Sequence, residues 1–303
     1  MAGFLMIILC AVFFPGLVIL TKSRFSGRKG PGILQPMHEI WVLLRKESVF
    51  GNTTGFIFRS APVVSLASLF CAALLIPFPG HMIWLSFTGD FVFFAYILAL
   101  GKFFSIVGAL DTGSPFEGMG ASRETLYSML AEPAFFILMG SLAMFTGNYS
   151  FSEIFRNLYF GTHFSYIGGL LAVYLLVQIA MIENSRLPVD DPKTHLELTM
   201  IHEVMVLDNS GFDLALIQIG RALKFSLFGG LIANLLIPIQ LFWVWQGLLF
   251  ITIQGAFAMV VGLLESFRAR NRMTANPQFI LTLSSVALLA FLLVLILTAR
   301  FSG

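Results

Sequence analysis

Eight apolar runs, each roughly 17–25 residues long, the length a bilayer demands, constrain this chain more than any other feature. They fall at about 3–21, 60–78, 91–109, 126–146, 164–182, 222–243, 247–264 and 279–299. In lipid the backbone must satisfy its own hydrogen bonds, so each run reads as a transmembrane helix. Composition agrees: 57% of the 303 residues are hydrophobic and 11% charged, against about a quarter charged in soluble domains. The 33 phenylalanines suit a lipid-facing surface. The expected fold is all-α, a polytopic membrane protein forming a single membrane domain over 1–303. The first run has no basic residue before it and no small-residue cleavage site, and it reads as an uncleaved span.

Basic residues orient the spans. If the loop after the first span is cytoplasmic, alternation places 15 of the 18 Lys and Arg residues on that side, leaving Arg156 and Arg300 outside and Lys102 within the third span. This asymmetry puts both termini outside and the large loops in the cytoplasm, with a bilayer as the first partner. The net charge of +2 is too small to indicate nucleic acid.

Between the first two spans, ILQPMHEIWVLLRK sets Ile33, Met37, Ile40, Trp41 and Leu44 at helical spacing. About 14 residues, over 33–46, are too few to cross the membrane. The segment is expected to lie as an amphipathic lateral helix on the cytoplasmic side, in the interface or against protein. The outer loops, at 79–90, 147–163 and near Trp245, carry little chemistry.

The polar residues concentrate in one loop, 183–213. Seven acids (Glu183, Asp190, Asp191, Glu197, Glu203, Asp208, Asp213) stand against Arg186 and Lys193. Unpaired charge in lipid is costly, so this stretch must meet water, line a polar cavity or face a basic partner. Read as a helix, HLELTMIHEV places His195 and His202 on one face two turns apart. That is not the i, i+4 pair of a helical metal site, and it suits proton exchange or contact with a partner.

Lys102 lies nine residues before Asp111, roughly 13 Å below the surface. It either snorkels or pairs with a buried acid, or it belongs to a proton path. The glycines of DTGSPFEGMGAS predict a tight turn, with the fourth span starting at Ser122 and Glu124 in its first turn, where the helix dipole favours a carboxylate. Capping does not account for Glu132, beside Pro133 and roughly 12 Å deeper; at that depth a carboxylate can exchange protons or pair with Lys102. Gln178, Asn234 and Gln254 fit interhelical hydrogen bonds. The last inner loop carries Arg268, Arg270 and Arg272, which serve orientation and docking. Cys10 and Cys71 lie far apart in apolar runs, so an iron–sulfur cluster or zinc site within this chain is not expected.

Four segments resemble one family. RKGPGILQPMHEIWVLLRKESV is similar to the first cytoplasmic loop of the complex I subunit 1 family. GALDTGSPFEGMGASRE is very close to the membrane anchor subunits of formate hydrogenlyase and other energy-converting, group 4 [NiFe] hydrogenases. EPA in span four and ENSRLPVDDP after span five match the same subunits, as does the RAR segment after span seven. The resemblance covers most of the chain. Where the family carries closely spaced glutamates, this chain reads DDPKTHLELTMIHEV, which points to a divergent branch.

The resemblance implies eight transmembrane helices and a lateral helix with no prosthetic group. It implies a membrane seat for a hydrogenase-like large subunit and an iron–sulfur small subunit, which carry [NiFe] and [4Fe–4S] centres, beside antiporter-like membrane subunits. The setting it implies is a prokaryotic cytoplasmic (inner) membrane. The acidic loop would pass redox-driven rearrangement into membrane carboxylates. The candidate proton path is Lys102, Asp111, Glu124, Glu132, Glu183, Asp190, Asp191, Glu197, His202 and Glu203; candidate docking residues are Arg28, Lys29, Arg123, Arg186, Arg268, Arg270 and Arg272. Two other readings stand beside this one. In the first the chain is a purely structural anchor, with pumping elsewhere. In the second it is a free-standing transporter, against which the chain shows no inverted repeat.

Overall fold

A computed structural model describes residues 2–51, 53–80, 85–158, 163–190, 200–238 and 240–301. The described residues form α-helices and turns without strands: α1 (Ala2–Phe25), α2 (Gln35–Leu44), α3 (Phe56–Leu74), α4 (Asp90–Asp111), α5 (Pro115–Thr146), α6 (Phe151–Asn157), α7 (His163–Glu183), α8 (Gly211–Leu236), α9 (Trp243–Phe267) and α10 (Asn276–Phe301). Eight of these are long and apolar enough to cross a membrane. The remaining two are α2 and α6. The chain is a multi-pass membrane protein with α2 as its lateral helix, resting on α8. Helix α2 turns Ile40 inward and leaves Trp41 exposed, with the Arg45 guanidinium 4.8 Å from the indole centroid.

Helix pairs α3–α4, α5–α10 and α1–α9 pack side by side, and α8 runs among them, touching α1, α2, α3, α7 and α9. Small residues allow this closeness, since in lipid helix association depends on packing rather than on expelling water. A Cβ at Gly101 of α4 would meet Ser68 Oγ of α3 at 2.1 Å.

The fourth span departs from expectation. Instead of a tight turn followed by a helix from Ser122, α5 begins at Pro115 and runs 32 residues. Ser114 takes extended N-cap geometry, and Pro115, which lacks an N–H to lose, occupies the first turn with Glu117. The turn signal of Gly113 is real, with φ at +72°. The helix overrides the glycines that follow because the chain uses them for contact. A Cβ at Gly120 would meet Ile201 O at 2.8 Å, so a bare backbone here lets the segment after residue 200 lie on α5.

The loop at 147–163 is also more built than expected. Phe151, Ile154 and Phe155 recur at helical spacing and are buried, so α6 forms and plugs the end of the bundle opposite the acidic stretch. At that end Asp90, fully buried, accepts hydrogen bonds from Ser150 Oγ at 2.8 Å and the Phe151 N–H at 2.7 Å.

Candidate functional site

Four helices each deliver one charged side chain to a common point. Lys102 comes from the middle of α4, Glu124 from α5, Glu183 from the last turn of α7 and Lys224 from α8. Lys102 Nζ donates to both Glu183 carboxylate oxygens at 2.9 Å and stands 3.7 Å from Glu124 Oε1. Lys224 Nζ lies 2.8 Å from Glu183 Oε2. Two cations thus face two carboxylates, which is how charge survives away from water. Lys102 therefore pairs with buried acids rather than snorkelling.

Glu124 does not cap the span: it lies nine residues into α5, is 8% exposed and faces Lys102. The physical reason is the earlier helix start, which carries this position about 13 Å along the axis and away from the dipole terminus.

A second cluster holds the loop after α7. Asp190 is 1% exposed; its Oδ1 lies 2.9 Å from Arg270 Nη2, and its Oδ2 accepts the N–H groups of Ile201 and His202 at 3.3 and 3.1 Å. One carboxylate thus joins the segment after α7, the segment before α8 and the α9–α10 loop. Arg123 donates to Met200 O at 3.0 Å, Arg221 pairs with Glu203, and Arg186 pairs with Glu265 at 3.1 Å, near Lys22 at 3.4 Å.

Residues 200–203 are not helical. They turn into a 3-10 segment, Val204–Val206, because Asp190 claims two of their N–H groups. The helix proposed for HLELTMIHEV is therefore absent over its described part; His195, Glu197 and Asp191 lie outside the described residues. His202 faces the helices. Burial, together with the Arg221, Lys224 and Lys102 cations, holds its imidazole well below the usual histidine range, so it stays neutral at ordinary pH.

Among the described residues Lys102 lines three cavities. The largest, about 100 Å³, runs between α3, α4 and α8 and reaches Glu124, Glu183, His202 and Arg221. One of about 40 Å³ extends from Lys102 and Glu183 to Glu132. The smallest, about 10 Å³, connects Lys102 and Glu124 with Ser128 and Asp190, a size near the minimum for one water molecule. The geometry can therefore pass a proton between loop and membrane interior by short steps: an acid, a water-sized gap, and a lysine with two alternative acids.

The remaining candidates divide. Asp111 Oδ2 accepts the N–H groups of Gly55 and Phe58 at 2.9 and 3.1 Å, so it caps α3 from the end of the neighbouring α4. Glu132 is exposed on the side of the bundle. Arg28, Lys29, Arg268 and Arg272 are exposed, whereas Arg123, Arg186 and Arg270 are engaged within the chain.

Lys224, Glu265 and Glu117 escaped sequence reasoning as site residues. Lys224 and Arg221 read there as orientation charges at the foot of a span. Glu117 is fully buried and accepts the Asp208 N–H at 3.0 Å, and its Oε2 has no partner among the described residues. Its position inside a glycine-rich segment hid it. No group of three or more His, Cys, Asp and Glu suited to a metal ion occurs among the described residues.

Buried ion pairs at the heart of a transmembrane bundle, joined by cavities to the loop that follows α7, define a membrane subunit built around internal charge. The profile of the NADH dehydrogenase family matches residues 1–297, and the chain belongs to that family, in keeping with the motif resemblance to complex I subunit 1. Hydrogenase-4 component C of Escherichia coli (strain K12) is 30% identical over 238 residues, 78% of this chain and 74% of that protein. Formate hydrogenlyase subunit 4 of the same organism is 29% identical over 289 residues, 93% of both chains. Among solved structures, the membrane-bound sulfane sulfur reductase (MBS), an archaeal respiratory membrane complex, contains a chain with a TM-score of 0.79 and 18% identity, covering 97% of this chain and 98% of that one. At that identity the likeness shows a shared fold.

Proposed function

We propose that this chain is the membrane subunit of an energy-converting, hydrogenase-type or complex-I-like redox complex, and that it couples electron transfer in a docked soluble module to movement of protons, or Na⁺, across a prokaryotic cytoplasmic membrane. The observation that carries this reading is Lys102, held between Glu183 at 2.9 Å and Glu124 at 3.7 Å and separated from Asp190 by a water-sized cavity. A structural anchor has no need of a buried lysine with two alternative acids. Asp190 is hydrogen-bonded to the Ile201 and His202 backbone N–H groups, so movement of that loop by a docked partner changes the field at Glu124 and Lys102. In this reading both termini face outward, and the exposed Arg28, Lys29, Arg268 and Arg272 meet the hydrogenase-like large and small subunits. Those subunits carry the [4Fe–4S] and [NiFe] centres, and antiporter-like subunits lie alongside.

The test is Lys102→Met in the intact complex, with ion uptake and electron transfer measured together in proteoliposomes. Assembly and electron transfer should persist while ions moved per electron fall steeply. An unchanged ratio removes Lys102 from the path. The second reading, a purely structural anchor, is favoured by the four exposed basic residues: if Arg268→Glu and Arg272→Glu release the soluble module while Lys102→Met leaves the ratio intact, docking is the whole function.

A further inference from the structure

Arg221 of α8 is only half used. Its Nη1 pairs with Glu203, while Nε and Nη2, the two donors that share one edge of the guanidinium, are buried without a partner among the described residues. Leaving buried donors of a charged group unmade costs more than a finished hydrogen bond contributes. Arg221 lines the cavity of about 100 Å³ between α3, α4 and α8. In the same lining Asn184 and Asn209 each leave a buried side-chain oxygen without a partner among the described residues. The ion pairs around Lys102 use none of these atoms.

Two parallel N–H donors on a planar cation match the two oxygens of a carboxylate, the geometry that makes such pairs bidentate. Charge restricts the guest further. Lys102, Lys224 and Arg221 already balance Glu124, Glu183 and Glu203, so one added negative charge is tolerable where a dianion is not. His202, in the same lining, is neutral at ordinary pH and adds no cation. The remaining wall is apolar, with Phe58, Ala61, Pro62 and Leu69 from α3 and Leu98 from α4. We propose that this cavity binds a small amphipathic monocarboxylate, with its carboxylate on Nε and Nη2 of Arg221 and its apolar body against α3. The two asparagine oxygens then accept from water beside the guest. A guest here fills the space that joins His202 and Arg221 to Lys102 and Glu183, so it obstructs the proton path. That second role rests on the translocation reading; the binding itself does not.

The experiment follows the ¹⁹F resonance of 4-fluorobenzoate added to the detergent-solubilised complex at constant ionic strength. The native complex should broaden the signal beyond the effect of empty micelles, and unlabelled benzoate, but not equimolar chloride, should reverse the broadening. Arg221→Lys keeps the charge and loses the paired edge, and it should weaken binding at least about tenfold. Ser65→Leu narrows the cavity from α3 without replacing the guanidinium and should weaken binding too, so it decides the matter if Arg221→Lys does not assemble. Broadening no greater than in empty micelles, chloride competing as well as benzoate, or full affinity in either variant overturns the proposal and leaves water as the occupant. In proteoliposomes, benzoate should lower the ions moved per electron in the native complex and have little effect in Ser65→Leu. If binding stands while that ratio is unmoved, the obstruction fails and the carboxylate site remains.

Discussion

The two ends of the bundle each bury a carboxylate, and they do so by different means. At one end Asp90 is satisfied by neutral donors, the Ser150 hydroxyl and the Phe151 N–H, which fasten α4 to α6. At the other, Glu183 is satisfied by two lysines, and one of these has a second acid within 3.7 Å. Neutral donors hold a carboxylate in one state. Cations with alternative partners allow more than one arrangement at similar energy, and such a group can respond to a change nearby. Asp90 is therefore a fastener, and in the proposed reading Glu183 is part of a relay, although burial alone does not tell them apart.

The largest effect expected from this contrast belongs to Glu183→Gln. It leaves Lys102 and Lys224 buried with one acid between them, and breaking a buried pair in this way costs about 3–5 kcal/mol. The detergent-solubilised protein should melt at a clearly lower temperature, and ion movement should be lost. An unchanged melting temperature would mean that the cations are already hydrated.

Next comes Asp90→Ala, which strands two buried donors at about 1–3 kcal/mol. Here stability should fall while the ratio of ions to electrons stays as in the native chain. A changed ratio would break the distinction between the two ends.

The smallest effect is a pH dependence at His202. Its folded pKa lies below its unfolded one, so the folded chain gains nothing from it above about pH 6.5 and loses stability as pH falls further, because the unfolded state takes up the proton first. The slope is at most about 1.4 kcal/mol per pH unit for one group. Melting curves between pH 7 and 5 should show it, and His202→Gln should flatten it.

Much of the fold was legible in the chain because lipid enforces it. An apolar run of bilayer length has no option but a helix, and the lateral helix declared itself through Ile33, Met37, Ile40, Trp41 and Leu44 at helical spacing. The start of α5 was not legible: Gly118 and Gly120 carry the composition of a turn, and their value is the contact of Gly120 with Ile201, a partner 81 positions away. The loop between α5 and α7 hid α6 for a related reason, since seven residues form a helix only when a core receives them.

The candidate site was half visible. Lys102, Glu183 and Glu132 announced themselves as charges where charge is expensive. Lys224 and Arg221 did not, because a basic residue at the foot of a span is what orientation alone requires.

The sequence by itself determined a many-spanned membrane helix bundle with charge concentrated at one end, since hydropathy and the cost of charge in lipid are properties of the chain read locally. Only the tertiary structure decided which charges meet. Pairing Lys102 with Glu183 joins residues on helices 81 positions apart, a choice set by which helix faces the small residues let come together, and spacing along the chain carries no record of it.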